Sequence, residues 1–199
     1  MTPQQWRIKR AFDILLSIVG VILTTPIIII AIIVASIDTR SFGLFLQQRV
    51  GRYGRLFTVY KIKTMRRVDG VDSTVTTQDD IRITKSGKFM RDTKIDELPQ
   101  LFNVLLGSMS FVGARPDVEG FADKLEGEDR VILSIPPAIT GPASLKYRDE
   151  EAILARQENP EEYNREVIWR DKVAINRDYI KNWSLRGDIG YIIKTIAGS

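Results

Sequence analysis

The stretch ILLSIVGVILTTPIIIIAIIVASI, residues 14–37, decides the fold. It holds 24 residues without a charged side chain and is rich in Ile, Leu and Val. That length is enough for a helix in a membrane. A buried core helix is the alternative, but core helices of this size rarely lack a polar face entirely. The sequence therefore predicts a membrane segment.

Pro26 lies at the centre of this stretch and follows Thr24 and Thr25. Proline removes one backbone hydrogen bond and disfavours helical geometry at the preceding residue, so we expect a sharp bend at Thr25–Pro26. The threonine hydroxyls can bond carbonyl groups that the bend frees. Proline position alone leaves two geometries open: a re-entrant hairpin, or a kinked helix that crosses the membrane.

Positive charges flank the apolar stretch on both sides, and cytoplasmic flanks of membrane segments are enriched in Lys and Arg. This pattern favours the hairpin, with both ends in the cytoplasm. The flanking residues are Arg7, Lys9, Arg10, Arg40, Arg49, Arg52 and Arg55.

The composition limits the chemistry, because the 199 residues contain neither cysteine nor histidine. Thiol nucleophiles, disulfides, imidazole bases and the usual zinc ligands are therefore excluded. Catalysis would fall to Asp, Glu, Lys, Arg, Tyr or hydroxyl groups. The length indicates a single domain over 1–199.

A basic segment follows the membrane stretch: residues 39–67 contain eight Lys or Arg and no Asp or Glu. Such a segment attracts phosphate on a lipid, a nucleotide or a nucleic acid. A solvated surface face explains the charge about equally well.

The rest of the chain predicts a mixed α/β fold. We expect short strands and turns over 44–65, with an alternating strand at 57–62, and a polar loop over 69–80. A basic helix at 86–91 precedes an amphipathic helix that runs from Ile95 to a stop at Gly107. A short strand at 109–112, a charged helix at 161–182 and an apolar helix at 189–196 follow.

Asp96 and Glu97 lie where the amphipathic helix opens, since Pro99 is tolerated only near a helix start. Free backbone N–H groups there favour ionised carboxylates or a bound phosphate. Capping is the simpler interpretation of this pair alone, and Thr93-x-x-Asp96 has the form of a capping box.

Two arginines give the acidic pair a functional context. Arg91 precedes Asp96 by five residues, and Arg115 lies in the turn-forming sequence Gly113-Ala114-Arg115-Pro116. Arginines, carboxylates and a magnesium ion together are the usual means of binding a pyrophosphate.

Several motifs in order resemble the bacterial sugar transferase family, the monotopic phosphoglycosyl transferases. They begin with Lys9-Arg10-x-x-Asp13 and the Thr-Pro break. YKIKTM (60–65), RDTKIDELPQL (91–101) and MSFVGARP (109–116) follow at family-like spacing. Ile139-Thr140-Gly141 and Tyr179-x-x-Asn182-x-Ser184 extend the resemblance to about residue 196.

The resemblance implies a re-entrant helix-break-helix hairpin over 8–38, bent at Thr25–Pro26, and a catalytic part over 39–199 with amphipathic helices at the membrane interface. Asp96 would be the nucleophile and Glu97 its partner, with Mg²⁺ held by both and chiefly by Asp96. Phosphate-binding positions would be Arg91 and the turn Gly113-Ala114-Arg115, and Lys61 and Lys63 would belong to a basic strand. The family's usual Pro is Ala114 here, and its usual Ser at the break is Thr25.

The resemblance further implies transfer of a phosphosugar from a UDP-sugar to polyprenyl phosphate, at the cytoplasmic face of the bacterial inner membrane. The chain resembles the minimal form of the family. Expected partners are the two substrates and membrane lipids, without nucleic acid, and a homodimer stays open. The rival interpretation is a non-catalytic anchored protein whose basic segment binds nucleic acid or anionic lipid.

Overall fold

The computed structural model describes residues 1–67 and 80–198. Of the predicted polar loop at 69–80, only Asp80 lies within these residues. The chain divides into two compact units. The first unit comprises Met1–Leu15, Arg49–Phe57 and the described residues from Val104 onward, and the second comprises Leu16–Gln48 and the described residues between Thr58 and Asn103.

The apolar stretch forms part of one long helix, α1 (Pro3–Thr39), which is helical on both sides of Pro26. The hydroxyls of Thr24 and Thr25 donate to the carbonyl oxygens of Gly20 and Val21, at 2.8 and 2.6 Å. By length and composition α1 could cross a membrane, which fits membrane association. The re-entrant hairpin stays a prediction.

Strands and helices after α1 follow the expected order. β1 (Leu44–Val50) and β2 (Leu56–Ile62) form a two-stranded sheet, joined through the turn Arg52–Gly54. α2 (Lys85–Asp92) confirms the predicted basic helix. A 3₁₀ turn (Ile95–Glu97) then precedes α3 (Gln100–Leu106), which ends at Gly107 with a positive φ of 92°.

The second unit has its own core, built by α1 beyond Pro26 together with α2, β2 and the segment around α3. Small residues at helical spacing, Ala31 and Ala35, let these elements approach α1 closely. The buried members of this core are Ile28, Ala31, Ala35, Ile62 and Met90.

In the first unit, β3 (Ser110–Val112) pairs in parallel with β4 (Ala138–Thr140), Ser110 opposite Ala138. β3 confirms the predicted short strand, whereas β4 was not predicted. The short helices that follow are α4 (Pro142–Lys146), α5 (Glu150–Leu154) and α6 (Pro160–Tyr163). A π-helical turn (Asn164–Ile168) leads into α7 (Trp169–Lys181), and α8 (Leu185–Ala197) is last.

The first unit's core is the larger one, and aromatic side chains of α7 and its C-terminal end contribute to it. Tyr179 and Trp183 are both 7% exposed. Two 3₁₀ segments, Ala122–Lys124 and Gly127–Ser134, supply further buried apolar residues.

The predicted capping box at Thr93 is wrong. The Thr93 hydroxyl donates to the carbonyl oxygens of Phe89 and Met90, at 2.7 and 3.3 Å, so this residue closes the C-terminal end of α2. The true N-cap in this region is Thr84, whose hydroxyl accepts from Gly87 N at the start of α2. A threonine hydroxyl can serve either helix end, and the local pattern does not distinguish them.

Candidate active site

Asp96 and Glu97 lie in the 3₁₀ turn Ile95–Glu97, just before α3, as expected from Pro99. The chain enters this turn through Lys94, whose φ of 59° is left-handed. A non-glycine residue in this region carries backbone strain of about 1 kcal/mol or more, and such strain concentrates at functional sites. Its neighbours Arg91 and Glu97 hold Lys94 in place through backbone hydrogen bonds.

Asp96 is 8% exposed, and its Oδ1 is buried without a hydrogen-bond partner among the described residues. Burial raises the pKa of Asp96, and the negative charge of Glu97 raises it further. Lys61, Lys94 and Arg91 oppose this rise. A buried polar atom without a partner is uncommon and points to a missing ligand.

Glu97 pairs with Lys61 of β2, whose Nζ lies 3.3 Å from Glu97 Oε1. Both side chains are largely buried, 25% and 14% exposed. The structure therefore brings Lys61 to the acidic pair. Lys63, two residues on, donates instead to the hydroxyl of Ser41, at 2.7 Å.

Arg91 comes from the last turn of α2. Its Nε donates to Thr64 Oγ1 at 2.9 Å, and its Nη2 contacts Met65 Sδ at 3.4 Å. These contacts leave further guanidinium donors, because arginine carries five N–H groups. Four predicted site residues thus belong to one described cluster: Lys61, Arg91, Asp96 and Glu97.

Within residues 1–67 and 80–198, no group of three or more His, Cys, Asp or Glu side chains could hold a metal ion. Two adjacent carboxylates are nevertheless a suitable donor set for Mg²⁺, which usually binds one or two carboxylates together with substrate phosphates. The unpartnered Asp96 Oδ1 agrees with that chemistry.

The other predicted phosphate-binding positions, Gly113, Ala114 and Arg115, lie in the first unit, directly after β3. Gly113 N donates to Thr140 O at 2.9 Å, and Ala114 O accepts from Ala138 N at 2.7 Å. These bonds fix the turn to β4 and leave the Arg115 side chain exposed.

Gly141 is required beside this turn. A Cβ at Gly141 would lie 2.1 Å from the carbonyl oxygen of Gly113, so no larger residue fits without moving the backbone. The motif Ile139-Thr140-Gly141 therefore has a packing role next to the arginine turn.

Asp117 is a charged residue of this region that sequence reasoning missed. Burial raises its pKa to about 7, although Lys172, Arg49 and Arg115 act to lower it, and its backbone oxygen accepts from Val50 N at 2.9 Å. The position two residues after Arg115 was the available signal. Its burial depends on residues far away in the chain.

The motif Lys9-Arg10-x-x-Asp13 also acquires a structural role. The Arg10 guanidinium donates to the carbonyl oxygens of Val104 and Leu105, at 2.5 and 2.8 Å, where a positive charge favours the C-terminal end of α3. Asp13 accepts from the Ser110 hydroxyl at 2.7 Å and from the next backbone N–H at 3.2 Å. Both contacts are inside the first unit.

A cavity of about 410 Å³ in the first unit contains none of the predicted site residues. It lies between α7 and α8, and its wall includes Tyr179, Trp183 and Tyr191. The acidic pair is therefore distinguished by its chemistry and not by cavity size.

Comparison with known proteins assigns the chain. A family described as bacterial sugar transferase matches residues 4–198. The chain belongs to the bacterial sugar transferase family. This match covers nearly all of the sequence and includes the acidic pair, both arginines and the apolar part of α1.

Individual relatives within the bacterial sugar transferases differ in the sugar of their names. The chain is 35% identical over 196 residues to the UDP-glucose:undecaprenyl-phosphate glucose-1-phosphate transferase of Klebsiella pneumoniae, covering 94% of this chain and 39% of the relative. It is 33% identical over 193 residues to the UDP-N-acetylgalactosamine-undecaprenyl-phosphate N-acetylgalactosaminephosphotransferase of Aeromonas hydrophila, covering 95% and 43%.

A third relative is the undecaprenyl-phosphate galactose phosphotransferase of Salmonella typhimurium, 32% identical over 204 residues, covering 94% of this chain and 39% of that protein. The chain thus spans about two fifths of the length of these three relatives. The shared region is the part that carries the family motifs.

Proposed function

We propose that this bacterial sugar transferase moves a sugar-1-phosphate from a UDP-sugar to undecaprenyl phosphate, which yields undecaprenyl-diphosphate-sugar and UMP. The observation that carries this proposal is the buried Asp96 carboxylate with an unpartnered oxygen, next to Glu97 and to the cations of Lys61, Lys94 and Arg91. The names of the relatives agree with the substrates. A pure phosphate-binding protein has no use for two carboxylates in its binding site.

The reaction begins with attack by an Asp96 carboxylate oxygen on the phosphorus that carries the sugar. The bond between this phosphorus and the bridging oxygen breaks, and UMP leaves with that oxygen. The product on the protein is an acyl phosphate at Asp96. An oxygen of undecaprenyl phosphate then attacks the same phosphorus and releases the Asp96 carboxylate.

Each side chain of the site has a distinct task in this scheme. Lys61 pairs with Glu97 and keeps it oriented beside Asp96. Glu97 takes the acceptor's proton or holds the metal. Arg91 and Arg115 bind phosphate oxygens through their planar guanidinium groups. Gly113 and Ala114 present backbone next to Arg115.

Asp96 and Glu97 are the residues that would hold Mg²⁺, with substrate phosphates completing its ligands. When bound, the ion neutralises negative charge on the diphosphate. The protein's own contribution is the placement of the nucleophile, the arginines and the lysine.

We further propose that the enzyme works at the cytoplasmic face of the inner membrane, with α1 forming a re-entrant hairpin at Thr25–Pro26. Positive residues on both sides of the apolar stretch support this topology. The hairpin would keep the basic segment 39–67 at the surface where both anionic substrates meet.

UMP release from detergent-purified protein tests the function. We expect release with UDP-glucose, UDP-galactose or UDP-N-acetylgalactosamine, Mg²⁺ and undecaprenyl phosphate, and none with Asp96→Asn. Intact-protein mass spectrometry without acceptor should find a sugar-phosphate adduct on the peptide containing Asp96 and no relocated adduct in Glu97→Gln. UMP release by wild type without an adduct, with intersecting initial-rate lines, would point to direct transfer; no release with any donor would refute the function.

A further inference from the structure

Asn103 of α3 is 1% exposed, and its side-chain amide bonds the backbone of β2 at two points. Its Oδ1 accepts from Tyr60 N at 3.0 Å, and its Nδ2 donates to Thr58 O at 2.7 Å. A carbonyl and an N–H two residues apart face the same edge of a strand, where a neighbouring strand would normally bond them. The amide of Asn103 therefore takes the place of a strand at this edge.

The elements that this amide joins are the ones that carry the candidate site. β2 continues directly from Tyr60 to Lys61, whose ammonium lies 3.3 Å from Glu97. The 3₁₀ turn with Asp96 and Glu97 leads into α3, which carries Asn103. The Asn103 amide thus sets the separation between the lysine's strand and the acids' turn, all within the second unit.

We propose that Asn103 is a positioning residue for transfer, because it holds Lys61 against Glu97 through β2. The proposal rests on the proposed function of the acidic pair. Asn103 itself touches no reacting group; it acts through the strand. Its effect should therefore disappear when Lys61 can no longer pair with Glu97.

Asparagine is the fitting residue at this position because the clamp needs one acceptor and one donor. In Asn103→Asp, a carboxylate oxygen would replace the donor and face the carbonyl oxygen of Thr58. In Asn103→Ala, both backbone groups of β2 lose their partner, without any new charge. The two variants break the same clamp by different means, so an effect common to both reports the clamp.

A double-mutant cycle separates positioning from a general loss of structure. Each Asn103 variant is combined with Lys61→Met, and turnover is measured as UMP release under saturating substrates. The control is Gln48→Leu, which removes an exposed hydrogen bond of 3.0 Å to the Thr58 side chain and leaves the backbone clamp intact. Gln48 belongs to the same unit and the same pair of strands.

We expect kcat to fall about tenfold in either Asn103 variant and by less than about twofold when Lys61 is already Met, since residues acting through one contact are not additive. KM for the UDP-sugar should change little. Gln48→Leu should resemble wild type. Equal losses in both backgrounds would overturn the proposal and make Asn103 merely structural.

Chemical labelling of Lys61 gives a readout that does not need turnover. Brief acetylation of the folded protein, followed by peptide mass spectrometry, should label Lys61 severalfold faster in both Asn103 variants than in wild type or Gln48→Leu. An unchanged rate at Lys61 would contradict the positioning role. If wild type released no UMP while the labelling rates changed as expected, the proposed function would fail and the Asn103 contact would stand.

Discussion

The ammonium group of Lys9 lies 2.7 Å from Oδ2 of Asp188, and both side chains are almost completely buried. Lys9 belongs to α1 and Asp188 to α8, so this ion pair joins opposite ends of the sequence within the first unit. Asp188 also accepts from the Tyr179 hydroxyl at 2.7 Å and from Trp183 Nε1 at 3.0 Å. The carboxylate therefore has a donor for each oxygen.

Replacing Lys9 by Met should destabilise the protein by about 3–5 kcal/mol, because it leaves a buried carboxylate without its counter-charge. The double variant Lys9→Met with Asp188→Asn should lose less, since no uncompensated charge of this pair remains. Thermal unfolding of detergent-purified protein measures both.

The matched control for this pair is Lys146→Met, which breaks an exposed pair with Asp171. Exposed pairs contribute less than about 1 kcal/mol, so this variant should unfold close to wild type. If Lys9→Met and Lys146→Met unfolded at similar temperatures, the buried pair would not stabilise the fold.

Local patterns predicted much of this fold, and pairings between distant residues explain what they missed. The alternation at 57–62 marks β2 because side-chain period is a local property. β4 escaped prediction because Ala138–Thr140 lies between prolines and becomes a strand only by pairing with β3. The ion pair of Lys9 with Asp188 likewise has no local signature.

The same distinction applies to the candidate site. Asp96, Glu97 and Arg91 share one short motif, so proximity along the chain placed them together. The contact of Lys61 with Glu97 needs β2 packed beside the turn, which the sequence indicates only through the family resemblance. Asn103 and Asp117 were missed because their importance comes from backbone contacts and burial.

Replacing Arg91 by Lys should lower turnover by at least about tenfold while the protein still folds, because lysine keeps the charge and loses the planar donor group. Lysine also loses the Nε contact of 2.9 Å to Thr64. UMP release measures the loss. Thr64→Val removes that contact alone and should show a smaller effect.

The same substitution at Arg115 tests the exposed arginine of the Gly113–Pro116 turn. Arg115→Lys should lower turnover with little change in thermal stability, since its side chain is exposed. Arg130→Lys, an exposed arginine of the same unit, serves as the control. Near-normal turnover of both Arg91→Lys and Arg115→Lys would make these arginines structural.

Single cysteines can test the membrane topology directly, because the natural sequence has none. With a re-entrant α1, cysteines at Gln4 and at Ala197 should both resist an impermeant thiol reagent outside intact cells and react after permeabilisation. Pro26→Ala should expose a fraction of one terminus, because a straight helix of 37 residues is about 55 Å long and can cross the bilayer. Labelling of only one terminus in the unmodified background would establish a spanning helix instead.

Asp117 should make stability depend on pH in a direction opposite to that of an ordinary paired carboxylate. Burial raises its pKa from 3.8 to about 7, so the folded state binds this proton more tightly than the unfolded state. Its contribution is therefore greatest below about pH 4 and is lost as pH rises towards 7. Asp117→Asn removes this dependence and should be more stable than wild type at pH 8.

We expect that advantage to be about 1–2 kcal/mol at pH 8, after allowing for solvent screening of a partly exposed carboxyl. This corresponds to about 3–6 °C in Tm for a chain of this size, and the difference should shrink at pH 5.5. Asp171→Asn is the control: hydrogen bonds from Lys146 and Tyr147 lower the pKa of Asp171, so its effect on Tm should be the same at both pH values. A Tm difference for Asp117→Asn that stayed constant, or grew towards acid pH, would mean that Asp117 is ionised in the folded protein throughout this range.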